Sequence, residues 1–372
     1  MKIGVLTLHL YTNYGGILQA YALQTALERM GHEVEFIDEE CNYKLYWYLK
    51  PLVYTKRLIL KYIFHRKDIK INAEDYSLYV YKLLNRNTLP FINKYIKRRF
   101  VNKFTDILPS DYNALIAGSD QVWRPLYFRK PIDLAYFSFA KDWNIKRLSY
   151  AASFGLDKWE YNSNQTKKCK SLISKFDAVS IREYSGVKLC KKYFGIESIH
   201  VLDPTFLVER EDYVSLIKDT VPSEGVLFNY ILDENSIKKD LLDHIAKDRK
   251  QIPFKVNNPN FDNQDVPIQM RVQPPLEPWL RAFYDSEFIV TDSFHACVFS
   301  IIFRKPFAVI CNKMRGATRI ESLLSMFSIE DRLIETFADY EMIKDKPLPD
   351  DVYQKLSLYK AASFDFLYSN LL

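Results

Sequence analysis

The residues best suited to chemistry surround His295, in the stretch TDSFHACVFSIIFRKPFAVI at residues 291–310. Phe288–Val290 is typical of a buried strand, and the polar corner Thr291–Ser293 can cap a helix running to about Phe303. His295 therefore falls in the first helical turn, just past a strand's carboxyl end. Ligands bind at such positions in open parallel sheets, and the unpaired helix N–H groups attract anions. The alternative is an ordinary strand-helix-strand unit with a capping histidine.

Polar side chains also follow the other predicted strands. The strand YNALIA leads into GSDQVW, residues 118–123, which contains Asp120; Arg182 and Asp203 each follow a further strand. Because the carboxyl ends of parallel strands share one rim of a sheet, this recurrence predicts a site there. The structural alternatives are an ion pair of Arg182 with an acid such as Glu183, and a capping role for Asp120.

A glycine-bearing loop follows the first predicted strand. Asn13–Gly16 lies at the start of a helix whose apolar residues recur at helical spacing, and its backbone N–H groups could cradle a phosphate or a sugar hydroxyl. The loop matches neither GxGxxG nor a Walker loop, so the alternative is a tight turn that needs glycine.

These residues are positioned by alternating strands and helices, which predict an α/β fold. The length of 372 residues favours two domains. We expect a Rossmann-like domain at residues 1–220, a second one at 221–345 after the linker VPSEG, and a C-terminal helix at 346–372 that packs back on the first domain. The two domains would face each other across a cleft.

Charge is unevenly distributed along the chain. The net charge is +6, but residues 41–105 contain fifteen Lys and Arg against three acidic residues, so this segment carries +12 and the remainder −6. The pattern predicts a basic-aromatic helical insertion at about 41–110, with Phe91–Phe104 as its most amphipathic piece. We interpret it as a contact for an anionic membrane or a lipid-linked acceptor. The alternative is a solvated insertion whose aromatic residues pack on the sheet.

Cysteine and histidine spacing favours a cytoplasmic protein without a metal. The five cysteines are odd in number and form no CxxC pair. His9 and His200 each lie beside a predicted strand without a partner at metal-ligand spacing, so both are assigned structural roles. The N-terminal apolar run passes straight into the glycine-bearing loop, so it predicts a first strand rather than a signal peptide. No run of 18 apolar residues predicts a membrane span.

Six ordered motifs resemble the polysaccharide pyruvyl transferase family. They are LHLYTNYGGILQAYALQTAL, AGSDQVW, SYAASFG, VSIREYSG, VLDPTFL and TDSFHACVFSIIFRKPFAVI, and they extend from residue 3 to about 325. The resemblance implies a two-domain fold like that of the GT-B glycosyltransferases. It also implies transfer of the enolpyruvyl group of phosphoenolpyruvate to a sugar hydroxyl pair, which yields a pyruvate ketal and phosphate.

The resemblance also implies roles for individual residues. The family histidine matches His295, our candidate acid, with Asp120 or Asp292 as base or hydroxyl orienter. Many members read Arg-Leu-His where this chain has Ser293-Phe294-His295, so Arg315 or Arg319 would replace the missing arginine. Phosphoenolpyruvate carries a carboxylate and a phosphate, which require at least two cationic groups. The expected donor-binding residues are Arg182 from the first domain and Ser293, Lys313, Arg315 and Arg319 from the second, which is the expected donor side.

The acceptor is expected to be a sugar or a lipid-linked oligosaccharide bound by the first domain. The predicted acceptor-binding residues are Asn13, Tyr14, Gly15, Gly16, Ser119, Gln121 and Trp123. We expect no cofactor besides the donor substrate, no nucleic-acid partner, and a cytoplasmic location with peripheral contact at the membrane. The alternatives are a nucleotide-sugar glycosyltransferase of the same shape, a basic nucleic-acid-binding protein, and an inactive sugar-binding relative.

Overall fold

The first half of the chain forms a seven-stranded parallel sheet. The computed structural model describes residues 1–39, 47–66, 69–128, 130–311 and 317–372. The elements of this half are β1 (Lys2–Leu6), α1 (Tyr14–Arg29), β2 (Glu33–Glu39), α2 (Lys50–Leu58), α3 (Ala73–Leu84), α4 (Leu89–Tyr95), β3 (Arg98–Val101), β4 (Ala114–Ala117), α5 (Pro125–Phe128), β5 (Lys146–Ala152), α6 (Ser163–Ile173), β6 (Ala178–Ile181), α7 (Tyr184–Leu189), β7 (Ile199–His200) and α8 (Arg210–Leu216). The strand order is β3-β2-β1-β4-β5-β6-β7.

The second half forms a five-stranded parallel sheet with its own helices. Its elements are β8 (Leu227–Tyr230), α9 (Ser236–Arg249), β9 (Pro253–Phe254), α10 (Leu276–Asp285), β10 (Phe288–Thr291), α11 (Phe294–Ile302), β11 (Phe307–Ile310), α12 (Ala317–Phe327), β12 (Leu333–Ile334), α13 (Phe337–Ile343) and α14 (Asp351–Leu371). The strand order is β12-β11-β10-β8-β9. Parallel pairing in both sheets confirms the predicted α/β class.

Each sheet has one point where its strand order reverses. In the first sheet the reversal lies between β1 and β4, and in the second between β8 and β10. Connections from neighbouring strands leave in opposite directions at such a point and open a crevice at the carboxyl ends. The loops after β1, β4 and β10 therefore border a site in each half, which is where the sequence motifs lie.

The two halves share apolar packing beneath that crevice. Helix α11 is buried at every position, and its Phe299 packs edge-on against Tyr213 and beside Trp279. Helix α14 returns to the first half, where its Ser363 hydroxyl accepts a hydrogen bond from the Leu202 N–H. Large apolar burial of this kind holds the crevice walls in fixed positions.

The basic segment is only partly the helical insertion that its pattern predicts. The amphipathic piece Phe91–Phe104 is not one helix, because α4 ends at Tyr95 and β3 then pairs in parallel with β2. Pairing with the edge of β2 satisfies the backbone hydrogen-bonding groups of β3, as a helix would also do. The order of apolar and polar residues in this piece is compatible with either structure. Within the described residues, no helix is both long and apolar enough to cross a membrane.

Candidate functional site

A cleft of about 1180 Å³ lies where the carboxyl ends of the two sheets face each other. Its first wall comes from the loops after β1 and β4 and includes Asn13 and Asp120. Its opposite wall comes from the second half and includes Ser293, His295 and Arg319. Residues more than 170 positions apart in the sequence therefore border one space.

His295 is held at the base of this cleft by close packing. It lies in the first turn of α11, and its side chain is 9% exposed. The N-terminus of α1 passes so close that a Cβ on Gly15 would lie 2.1 Å from His295 Nδ1. Only glycine permits this approach, and Gly15 itself is not among the residues that border the cleft.

A buried network of charges lies behind His295. The Arg182 guanidinium donates to Asp203 Oδ2 at 2.8 Å and to Asp120 Oδ1 at 3.3 Å. The Ser119 hydroxyl donates to Asp203 at 3.4 Å, and His295 Nε2 lies 3.8 Å from the same carboxylate. Such a group of ions stays buried only because each charge faces an opposite one.

This network corrects the expected roles of two residues. The Arg182 side chain is 1% exposed and is not among the residues lining the cleft, so its charge is already balanced by Asp203 and Asp120. It therefore positions Asp120 and is not placed to bind a donor. Ser119 is fully buried and likewise serves the network, not an acceptor.

Asp120 connects the buried network to the cleft. Its φ of 70° is in the left-handed region, which aspartate tolerates better than most residues. The Asn13 amide donates to its Oδ2 at 3.4 Å from the cleft side. Burial would raise the pKa of Asp120, but the charges of Arg182 and Arg319 lower it below its usual value. The carboxylate is therefore ionised at neutral pH.

His295 is neutral in the ligand-free protein. Burial lowers its pKa to about 4, and the nearby Asp203 carboxylate offsets only part of that effect. Its Nε2 is buried with no hydrogen-bond partner. An acid must carry a proton, so His295 can serve as one only after a bound anion raises its pKa.

Arg319 supplies a cationic side chain to the second-half wall. Burial lowers the pKa of Arg319 to about 10, so it remains charged at neutral pH, and its guanidinium lies 5.7 Å from the ring centroid of Phe294. Ser293 borders the cleft beside it and makes no side-chain cap to α11. Lys313 and Arg315, the other expected donor-binding residues, lie outside the described residues.

The expected acceptor residues separate into two groups. Asn13, Tyr14, Gly16 and Gln121 border the cleft. Trp123 does not, because it is fully buried and stacks on Tyr136 with ring centroids 4.8 Å apart. The expectation that Trp123 contacts an acceptor was wrong, since the turn after Asp120 directs this indole into the core.

Asp292 is engaged in holding the loop after β8. Its carboxylate accepts from the Leu232 N–H at 2.7 Å and the Asp233 N–H at 3.1 Å, and Lys238 Nζ lies at 2.6 Å. With a lysine and two amides already bound, this carboxylate is poorly placed to take a proton from a substrate. The structure therefore favours Asp120 over Asp292 as the base or hydroxyl orienter.

The sequence interpretation overlooked His9, which was assigned a structural role. His9 borders the cleft, and its Nδ1 lies 2.8 Å from Asp38 Oδ1. Tyr11 and Tyr81 lie beside it and stack on each other at 5.6 Å. The sequence contained one indication of this role. His9 follows β1 and Asp38 lies near the end of β2, so both residues fall at the carboxyl rim of the sheet, where ligands bind.

No group of three or more metal-ligating side chains occurs among the described residues. Cys169, Cys190 and Cys297 are buried free thiols. Burial raises the pKa of Cys169 to about 12, so this thiol is protonated and unreactive.

Comparison with known proteins identifies the family. Two solved structures are similar, each at 12% identity. They are UDP-GlcNAc 2-epimerase from Neisseria meningitidis bound to UDP-GlcNAc (TM-score 0.51, covering 100% of this chain and 99% of that one) and S. aureus MnaA with UDP (TM-score 0.46, covering 96% and 91%). The first similarity confirms a GT-B-like fold. No curated protein matches the sequence significantly. The family model described as polysaccharide pyruvyl transferase matches residues 13–313, and the chain therefore belongs to this family of transferases.

Proposed function

We propose that the protein transfers the enolpyruvyl group of phosphoenolpyruvate to a pair of sugar hydroxyls on a polysaccharide precursor. The products are a pyruvate ketal and phosphate. The observation that carries the proposal is the meeting of buried, partnerless His295 Nε2 with ionised Asp120 and cationic Arg319 around one cleft. Family membership supports a pyruvyl group as the part transferred.

The donor fits best against the second-half wall. Phosphoenolpyruvate is a polyanion, and this wall combines Arg319 with the free N–H groups at the start of α11, where Ser293 makes no side-chain cap. We therefore assign the donor phosphate or carboxylate to Arg319.

Donor binding would also convert His295 into an acid. A polyanion beside His295 raises its pKa, because a nearby negative charge favours the imidazolium. The proton on His295 then moves to the methylene carbon of the donor, while one sugar hydroxyl attacks the adjacent carbon and gives its proton to Asp120. Phosphate leaves when the second hydroxyl attacks that carbon, and it carries away the second hydroxyl proton.

Asp120 is suited to orienting the attacking hydroxyl. Its position is fixed from behind by Arg182 and from the cleft by Asn13, at 3.3 Å and 3.4 Å. A fixed acceptor converts binding energy into correct orientation. Asp120 then releases its proton to solvent, and His295 regains one when the next donor binds.

The acceptor is proposed to enter along the first-half wall, where Gln121, His9 and Tyr81 border the cleft. Aromatic rings such as Tyr81 suit the apolar face of a sugar, and His9 with Asp38 suits its hydroxyls. We propose a lipid-linked glycan as acceptor and a cytoplasmic location, which agrees with the free thiols of Cys169, Cys190 and Cys297.

The test is phosphate release from phosphoenolpyruvate with a mixture of nitrophenyl and lipid-linked glycosides. We expect acceptor-dependent release from the wild type and at least a hundredfold loss in His295→Gln. The matched control is His244→Gln, which alters a histidine that stacks on Phe337 away from the cleft. Release of UDP from a UDP-sugar, with none of phosphate from phosphoenolpyruvate, would instead establish the nucleotide-sugar glycosyltransferase alternative.

A further inference from the structure

Residues 47–66, called here the basic helix segment, present a large apolar surface to solvent. The segment comprises a short turn, α2 and the π-helical turn Ile59–Ile63. Trp47 is 82% exposed, Leu52 72%, Ile63 67% and Phe64 65%. None of the residues of α2 is buried. Clustered exposed aromatic and aliphatic side chains mark an interaction surface.

The same segment is strongly basic. It contains five Lys and Arg and no acidic residue, which gives it a charge of +5. Arg57 is bound to Glu74 of α3, with bonds of 2.7 Å from both guanidinium nitrogens. Lys50 and Lys56 are exposed among the apolar residues. The partner of this surface must therefore accept apolar side chains and carry negative charge close to them.

We propose that the basic helix segment docks the protein on an anionic lipid bilayer. Aromatic and aliphatic side chains insert at the boundary between headgroups and acyl chains, while lysines contact anionic headgroups. Nucleic acid would match the charge but would leave Leu52 and Ile63 exposed. A second copy of the chain would bury the apolar residues but would bring two +5 segments together.

The segment is mechanically connected to the cleft. Arg57 also donates to the carbonyl of Ile71 at 2.8 Å, so α2 is fixed to the start of α3. On α3, Tyr76, Val80 and Tyr81 border the cleft. A bilayer bound at α2 would therefore lie one helix away from the wall to which we assign the acceptor. The placement of the bilayer near the acceptor wall rests on the proposed function, whereas the docking itself does not.

The test is sedimentation of the full chain with vesicles of phosphatidylglycerol and phosphatidylcholine in equal amounts, and with phosphatidylcholine alone. We expect binding to the anionic vesicles that weakens as salt rises. Trp47→Ser/Ile63→Ser/Phe64→Ser should lose at least about tenfold in partitioning. Lys50→Gln/Lys56→Gln should lose roughly fivefold per lysine. Neither variant alters a residue of the catalytic machinery, so phosphate release with a soluble acceptor should be unchanged.

The control variant is Val221→Ser/Ile237→Ser/Ile252→Ser, which removes three apolar residues of similar exposure from the second half and its linker. It should bind vesicles as the wild type does. Absence of wild-type binding to anionic vesicles would overturn the proposal, as would equal loss in the control. A dimer in solution that is abolished by Trp47→Ser/Ile63→Ser/Phe64→Ser, without vesicle binding, would assign the surface to a second copy. Failure of phosphate release would leave these binding results unaffected.

Discussion

Substitution of Gly15 by alanine tests the contact that places His295. The new Cβ would lie 2.1 Å from Nδ1, 2.2 Å from Cγ and 2.8 Å from Cβ of the histidine, whereas ordinary contacts begin at 3.4 Å. Relief requires a shift of about 1.3 Å, the difference between 3.4 and 2.1 Å. The imidazole cannot move away freely, because its side chain is 9% exposed and packs against Phe294 and the buried network.

The free-energy cost follows from two opposing contributions. Overpacking of this kind costs ~1–3 kcal/mol, while alanine in place of glycine in a helix gains up to about 1 kcal/mol. We therefore expect Gly15→Ala to destabilise the protein by up to about 2 kcal/mol. A displacement near 1 Å of a catalytic group lowers kcat by about a hundredfold.

A double-mutant cycle isolates the contact. His295→Ala would retain the Cβ at 2.8 Å, so the second background is His295→Gly, which removes all three contacting atoms. In that background Gly15→Ala should be neutral or stabilising in urea unfolding, which gives a coupling energy of about 1–3 kcal/mol. An equal effect of Gly15→Ala in both backgrounds would refute the close approach of α1 to His295.

Other predictions concern the charges and the indole. Arg182→Leu should destabilise by about 3–5 kcal/mol and lower kcat without raising KM for phosphoenolpyruvate, because Arg182 holds Asp120 and does not face the donor. Arg319→Leu should raise the KM for phosphoenolpyruvate. If steady-state kinetics showed a raised KM in Arg182→Leu and an unchanged one in Arg319→Leu, Arg182 would be the donor ligand. Trp123→Phe should lower the unfolding midpoint and leave KM for the acceptor unchanged, and an altered KM would contradict its place in the core. The pKa of His295 is about 4 in the folded protein and about 6.5 in the unfolded chain. The stability that the neutral imidazole contributes is therefore complete above pH 6.5 and is lost as the pH falls towards 4. Urea unfolding from pH 7 to 4 should show this loss in the wild type and a smaller one in His295→Gln.

The general position of the site could be predicted from the sequence because it depends on local patterns. Polar residues after apolar strands indicate the carboxyl rim of a parallel sheet, and the rule that ligands bind there requires no knowledge of distant contacts. His295 and Asp120 were identified in this way, and both border the cleft. The helix containing His295 begins at Phe294 and ends at Ile302, close to its expected bounds.

The roles of individual charged residues could not be predicted, because they depend on partners far away in the chain. Arg182 is neutralised by Asp203, 21 residues later, and by Asp120, 62 residues earlier. Asp292 is bound by Lys238, 54 residues earlier. No spacing rule connects such positions. The sequence alone therefore does not distinguish a cationic side chain that faces a ligand from one in a buried ion pair.

The edge strand β3 shows a second limit. Its residues, Arg98–Val101, lie in a basic run whose spacing also fits an amphipathic helix. The strand forms because β2 offers an unpaired edge, as in the pairing of Phe36 with Arg98. Tertiary context thus decided between two structures that the local pattern allows equally.

The most direct test of the proposed reaction is isotope transfer from phosphoenolpyruvate labelled with carbon-13 at its second carbon. After incubation with a lipid-linked or nitrophenyl glycoside, we expect a new ketal-carbon signal on the glycoside, formed in equal amount with phosphate and absent in His295→Gln. Recovery of all label in phosphoenolpyruvate or free pyruvate, with every acceptor class unmodified, would contradict the assignment of the cleft to enolpyruvyl transfer.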